Sequence, residues 1–224
     1  MINKEETGRR NTRVVNKNEV RDFLCRLFLI SAGFALAGLG TALMYKAELG
    51  SSPNATMADG LHVLFHVSYG TGNILANLIT LAVVLVFARD LIRYGTLVCV
   101  FTMGIYVNFW DSLIPALPEG AGWVLRLLTA LLGNVIMSAG LAFYVKIHAG
   151  LGSLEAIAEF LRRTWNCRYS LAKTAEDAVL LVAGICLGGT FGAGTVISVF
   201  MTGILMQWFF RFYEKTFGFL KRFE

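Results

Sequence analysis

Charge is scarce in this sequence. Asp, Glu, Lys and Arg make up 16% of its 224 residues, where a soluble domain carries roughly a quarter. The deficit is concentrated in long runs with almost no charge, and 56% of the chain is hydrophobic. This excludes an ordinary solvated domain and places the chain among polytopic membrane proteins. Cysteine is sparse as well. Cys25, Cys99, Cys167 and Cys186 show no metal-ligand spacing. Cys99 and Cys186 fall in apolar runs, read as small buried hydrophobes, and need no disulfide. No G-x-S-x-G, Walker or G-x-G-x-x-G context appears, so neither an enzyme nor a cofactor is expected. The net charge of +5 does not indicate nucleic acid, because the basic residues cluster in tails and certain loops, as cytoplasmic membrane flanks do.

What the chain does have is a repeat. GTLVCVFTMGIYVNFW at 95–110 returns as GTVISVFMTGILMQWF at 194–209. Gly95/Gly194, Thr96/Thr195, Val100/Val199, Phe101/Phe200, Gly104/Gly203 and Ile105/Ile204 match in register, and Asn108 faces Gln207. Leu49-Gly50-Ser51 recurs as Leu151-Gly152-Ser153, with Gly38 facing Gly140 upstream. The offset is 99 residues for the first pair of stretches and 102 for the second. Two motifs in one order at nearly one spacing indicate a unit written twice.

A lipid-crossing helix needs about 20 mostly apolar residues. Spans are expected at 27–45, 72–88, 95–113, 123–145, 170–188 and 194–213. Gly33, Ala37, Gly38 and Gly40 in the first allow close helix contact. Pro115, Pro118 and Gly120 mark a turn. Trp110, Trp123 and Trp208 lie near span ends, where interfacial aromatics belong. The first 26 residues are polar and basic. They read as an irregular cytoplasmic tail and not as a cleaved leader.

Two mixed segments remain. In 54–69, Met57, Leu61, Leu64 and Phe65 fall on one helical face and Asp59, His62 and His66 on another. In 152–166, Leu154, Ile157, Leu161 and Trp165 form the apolar stripe, and Glu155, Glu159, Arg162 and Arg163 the polar one. Both predict short amphipathic helices, interfacial or partly re-entrant, too short and polar to cross. The expected fold is therefore all-α: a polytopic membrane helical bundle of six transmembrane helices, arranged as two inverted three-helix repeats, each with a short amphipathic or re-entrant helix. The parts are a basic tail over 1–26, repeat one over 27–114, repeat two over 122–213 and a second tail over 214–224. Three crossings per repeat turn the second copy over. Arg89, Arg93, Lys146, Arg162, Arg163 and Arg168 then share the cytoplasmic side with both termini, while the opposite loops hold only Lys46, in agreement with the positive-inside rule.

Candidate binding residues follow from this arrangement. Gly50, Ser51 and Ser52 before Pro53, and Gly152 with Ser153, begin the short helices, whose free amides attract anionic groups. Such interrupted helices line substrate sites in inverted-repeat transporters, although capping alone explains the Ser and Pro. Asn73, Asn77, Asn108, Asn134 and Gln207 must find partners away from lipid. The matched pair Asn108 and Gln207, with Asn77, would line a central cavity; helix-to-helix glue is the plainer role. Lys173 has the spacing of an ion pair with Glu176 or Asp177; an intramembrane carboxylate can relay protons, but the place near the inner interface favours a solvated ion pair. Glu159 and Arg163 form another. His62 and His66 have a zinc-compatible spacing without the Glu of a catalytic motif, so a polar helix face explains them and no metal is expected.

GLGTALMYKAELGSSP, then GTGNILANLITLAVVLV, then YGTLVCVFTMG resemble the bacterial YczE/YitT-type integral membrane proteins over about residues 27–212. The carrying motifs are LGSSP at Leu49–Pro53 and GT-x-x-x-x-F at Gly95–Phe101 and Gly194–Phe200. In that family an acidic residue often follows the Pro closely. Here Asn54 and Ala55 follow it, and the second copy reads Leu154-Glu155 without a Pro. The resemblance implies a protein of the bacterial inner membrane. The bilayer is its surrounding partner. A small-solute transporter or permease is the leading reading, with an unknown small-molecule substrate. A non-transporting scaffold or accessory subunit and a passive channel are the alternatives, and self-association into a homo-oligomer is left open.

Overall fold

The computed structural model describes residues 17–92, 94–118, 120–147 and 152–216. Most of the N-terminal tail, Arg93, Leu151, Lys221 and Arg222 lie outside the described residues. Eight α-helices follow in order: α1 (Lys17–Ala47), α2 (Pro53–Phe65), α3 (Tyr69–Phe87), α4 (Tyr94–Leu113), α5 (Trp123–Val145), α6 (Ser153–Trp165), α7 (Tyr169–Cys186) and α8 (Ala193–Thr216). A single 3-10 turn at Arg89–Leu91 joins α3 to α4. Each expected span is a helix. α1 starts earlier than expected, so residues 17–26 are helical where an irregular tail was anticipated. That stretch holds no Gly or Pro to stop the helix propagating backwards from the apolar run.

Among the described residues, four helices are long and apolar enough to cross a membrane: Leu24–Ala47 within α1, then α3, α5 and α8. α7 differs from them in having 18 residues that include Lys173, Glu176 and Asp177. Large apolar side chains cover the outside. Phe101, Ile105 and Phe109 on α4, and Phe200, Ile204 and Trp208 on α8, are all half or more exposed. A bare surface of this kind calls for a lipid or protein partner. Two of the pairs that match between the copies, Phe101/Phe200 and Ile105/Ile204, belong to this outer surface.

The centre of the fold is the crossing of α1 and α5. Gly33 lies against Gly140 and Tyr144, and Gly40 against Gly133 and Met137. Progress along α1 is regress along α5, so the two helices run antiparallel. A Cβ on Gly33 would stand 2.9 Å from Tyr144 Cβ, and one on Gly133 would stand 2.7 Å from the Gly40 carbonyl oxygen. Only glycine lets the backbones meet this closely. Phe34 stacks on Tyr144 at 4.4 Å in the same layer.

Around this axis the packing repeats. α4 lies on α1 as α8 lies on α5; α3 lies on α2 as α7 lies on α6; α4 meets α3 as α8 meets α7. Each short helix also crosses to the other copy, α2 onto α7 and α6 onto α3. Met57, Ala58 and Leu61 of α2 cluster with Ala76 and Leu180, and Ala156 of α6 clusters with Val84 and Ala88.

The short helices set the register of the repeat. Each has 13 residues. Each stops at a left-handed residue, His66 at φ 53° and Asn166 at φ 46°, and the next helices open on Tyr69 and Tyr169. Pro53 therefore corresponds to Ser153 and Ser52 to Gly152. The tripeptide match of Leu49-Gly50-Ser51 to Leu151-Gly152-Ser153 is two residues out of this register, because the loops before the two helices differ in length.

Burial in α2 and α6 also departs from the amphipathic reading. It runs along each axis and not across two faces. Pro53, Ala55 to Leu61 are buried, while Val63 to His66 are exposed; α6 shows the same gradient. Asp59 and Glu155, assigned to polar faces, are 5% and 4% exposed. Leu64 and Phe65, assigned to an apolar face, are exposed. The N-terminal turns of both helices point into the bundle, so depth overrides facial pattern.

Candidate functional site

The two helix N-termini meet at one cavity. Ser52 is extended (φ −63°, ψ 155°) and its hydroxyl accepts the Ala55 N–H at 3.4 Å. Pro53 follows at the first helical position, where its missing N–H costs nothing. Gly152 is extended in the same way (φ −61°, ψ 167°) but has no side chain to cap α6. Between them lies a cavity of ≈ 50 Å³. A water needs roughly 10–15 Å³ measured this way, so the space suits a molecule of a few heavy atoms. Its apolar wall includes Phe34, Val100, Met103, Met137 and Leu141.

The polar wall comes from equivalent positions of both copies. α3 presents Asn73 and Asn77, and α7 presents Lys173 and Asp177 from the corresponding turns. α2 presents Ala55 where α6 presents Glu155. One copy thus contributes neutral groups and the other ionisable ones. Lys173 Nζ donates to Asp177 Oδ1 at 2.8 Å and to Glu176 Oε2 at 3.2 Å. The ion pair expected from spacing is present, but it is not solvated: its side chains are 3–5% exposed. α7 packs this face against α2, α6 and α8, which seals it from water.

The neutral half forms a chain of hydrogen bonds. Asn77 Nδ2 donates to Asn73 Oδ1 at 2.8 Å, Ser153 Oγ donates to Asn77 Oδ1 at 3.3 Å, and Ser153 Oγ lies 3.1 Å from Thr80 Oγ1. Several buried atoms nonetheless have no hydrogen-bond partner among the described residues, including Asn54 Oδ1, Asn73 Nδ2 and Asp177 Oδ2. Buried polar atoms are rarely left so, and these three belong to cavity-lining residues.

Of the residues anticipated from sequence, Asn77, Ser52, Gly152 and Ser153 line the cavity. Gly50 and Ser51 are buried in the turn before α2. Gly50 has φ 85° and lies against Gly192 and Thr195, while the neighbouring Leu49 carbonyl accepts the Gly194 N–H at 2.8 Å. Asn108 and Gln207 are half-buried and are not among the cavity-lining residues. Asn108 Oδ1 accepts the Gly70 N–H at 2.9 Å, at the crossing where Gly104 meets Gly70. Asn134 joins α5 to α8, accepting from Ser198 Oγ at 3.3 Å and Thr202 Oγ1 at 3.0 Å. Glu155, Lys173 and Asp177 were not singled out as ligands. For the α7 pair the available signal was Lys173, Glu176 and Asp177 within five positions of an otherwise apolar run.

Ion pairs mark the ends of the bundle. Lys46 at the end of α1 pairs with Asp111 at the end of α4 at 2.8 Å. Lys146, just past α5, pairs with Glu214 near the end of α8. Arg163 Nη1 lies 3.3 Å from Asp90 Oδ2. Glu159 accepts from Arg162 and Arg163. The Arg162 hydrogen bond, opposed by burial and assisted by Arg163, holds the Glu159 carboxyl below its usual range. His62 Nδ1 contacts the Val67 carbonyl and its ring stacks on Tyr69 at 4.2 Å. Cys99 is buried beside the cavity. Cys186, read as a buried hydrophobe, is exposed, because the end of α7 turns its side chain outwards.

Three proteins resemble this chain along most of its length. The "Uncharacterized membrane protein YczE" of Bacillus subtilis is 22% identical over 190 residues, covering 84% of this chain and 86% of its own. An "Uncharacterized protein" of Haemophilus influenzae is 24% identical over 180 residues, covering 79% and 80%. The "Uncharacterized protein YyaS" of Bacillus subtilis is 23% identical over 185 residues, covering 83% and 92%. No solved structure gives a significant match. Residues 24–211 match a family of unknown function, DUF6198. An all-helical membrane bundle with lipid-compatible outer faces, matched over most of its length by YczE and YyaS, belongs to this YczE-type family, DUF6198.

Proposed function

We propose that the protein is a small-solute transporter or permease of the bacterial inner membrane, with its site at the central cavity between two oppositely oriented copies of one unit. The observation that carries this reading is the composition of the cavity wall: both helix N-termini and the corresponding turns of α3 and α7 contribute to it. In folds built for alternating access, the site lies at the interface of the repeats, at interrupted helices. The antiparallel crossing of α1 and α5, the first helices of the two copies, supports inversion. The contact between Arg163 and Asp90 supports a shared cytoplasmic side for the α3–α4 turn and the end of α6. On this reading α4 and α7 also cross, giving six spans with both termini cytoplasmic, and α2 and α6 are re-entrant.

Buried ionisable residues strengthen the transport reading over a passive scaffold. Charges inside a membrane are costly, and where they persist they generally mark pathways or coupling sites. The experiment is uptake of a solute panel into liposomes containing the purified protein. Uptake that falls at least tenfold in an Asn77→Ala, Asp177→Asn double variant supports the site. No uptake of any solute by well-folded protein in either orientation, with and without an imposed proton gradient, overturns the transport reading.

A further inference from the structure

The cavity's charge and its unpartnered atoms point to a class of ligand. Glu155, Glu176 and Asp177 bring three carboxylates to one buried region, and Lys173 is the cation set among them. The facing groups from other elements are Tyr144 on α5 and Cys99 on α4, with Tyr169 at the start of α7; α1, α2, α3 and α8 present only neutral groups to the cavity. The carboxylates outnumber the ammonium by two. The N-termini of α2 and α6 offset about one negative charge, at roughly half a charge each. Roughly one positive charge is still required for a buried site to be neutral.

The hydrogen-bonding atoms match that need. Asp177 Oδ2 and Asn54 Oδ1 are buried acceptors with no partner among the described residues, and Glu155 adds a carboxylate to the same wall. A primary ammonium has three N–H donors. The opposite wall, with Phe34, Met103 and Leu141, suits a short alkyl tail, and the cavity of ≈ 50 Å³ limits its length.

Resting on the transport reading above, we propose that this cavity binds a small primary ammonium compound in exchange for a proton held by the Glu176 and Asp177 carboxylate pair. In the empty site that one proton is shared by the pair, which Lys173 bridges by donating to Asp177 Oδ1 at 2.8 Å and to Glu176 Oε2 at 3.2 Å. When the ammonium enters, an N–H of the ligand donates to Asp177 Oδ2, the O–H bond of the protonated carboxyl breaks, and the proton leaves to bulk water, so that both carboxylates are ionised beside Lys173 and the ligand. The ligand arrives and remains as the cation, so charge is conserved: one positive charge in, one out.

The test is calorimetric titration of the purified full-length protein in detergent with methylammonium chloride, in two pH 7 buffers of different ionisation enthalpy. About one proton released per methylammonium bound is expected. Binding at least tenfold weaker is expected for Asp177→Asn and several-fold weaker for Asn54→Ala. Tetramethylammonium, which has no N–H donors, is expected to bind at least tenfold more weakly than methylammonium. Absence of methylammonium binding by folded protein, binding without proton release, or equal binding of tetramethylammonium overturns the proposal. Should Asp177→Asn fail to fold, the Asn54→Ala variant and the comparison of ligands still decide. Uptake of some other solute without methylammonium binding overturns this proposal and leaves transport standing. Binding without uptake does the reverse.

Discussion

Asn77 and Asp177 occupy the same turn of corresponding helices and reach one cavity from its two sides, the first as a neutral amide and the second as a carboxylate. The two positions are alike in their place along the helix and unlike in charge. Asn77 holds its place by donating to Asn73 Oδ1 and accepting from Ser153 Oγ; Asp177 holds its place through Lys173.

Replacing Asn77 by Ala removes both hydrogen bonds. Polar contacts between membrane helices are worth about 0.6–2 kcal/mol. Asn77→Ala should therefore lower stability by about 1–2 kcal/mol, read as the midpoint of unfolding in mixed micelles. Asn77→Asp should cost more, because it adds a fourth carboxylate to a region that Lys173 already fails to balance.

Lys173→Met should be among the most damaging single changes in α7. Removing one partner of a buried ion pair costs about 3–5 kcal/mol, because the remaining charge is left uncompensated. Adding Asp177→Leu to Lys173→Met should recover part of that loss. Thermal unfolding of the single and double variants checks the order.

The α1–α5 crossing tolerates no side chain. At Gly40, a Cβ would collide with the Gly133 carbonyl and the Met137 backbone. Overpacking of this kind costs about 1–3 kcal/mol, and Gly40→Leu should lie at or above the upper end because backbone atoms are in the way. Gly120→Ala, where nothing lies within 4 Å, should be neutral. Thermal unfolding of both variants in detergent provides the comparison.

Glu159 gives a pH dependence of known sign. Its carboxyl is held below the ordinary glutamate range, first by the Arg162 hydrogen bond, against burial and with help from Arg163. A group whose folded value is lowered contributes its full stabilisation above the unfolded value, about 4.3. The contribution fades as pH falls through the folded value. Arg162 and Arg163 are about half exposed, so the effect should stay under about 1 kcal/mol. The difference in unfolding midpoint between wild type and Glu159→Gln should be largest near neutrality and vanish in acid.

Much of the helical framework was legible in the sequence, because lipid enforces a simple code of apolar length and interrupting charge. Trp123–Val145 was read to the residue. The α4 and α8 stretches also carry Gly and Phe at matching places in the sequence. The site was less legible. Asn108 and Gln207 matched in sequence, yet they lie off the cavity, which α4 and α8 reach through Met103 and Thr202 instead; its polar wall comes from α3 and α7, where Asn73 and Asn77 stand against Lys173 and Asp177 and share no chemistry to align. Glu155 looked like surface polarity because residues 152–166 alternate convincingly. Only the insertion of that helix by its N-terminus puts the carboxyl inside, and depth along an axis leaves no periodic trace.

The crossing of the short helices between the two halves of the chain bears on whether either half can stand alone. α2 rests on α7 and α6 on α3, so neither half completes its own lining. Splitting the chain in the loop between α4 and α5 should yield two fragments that are each unstable when expressed alone and that recover by embracing one another.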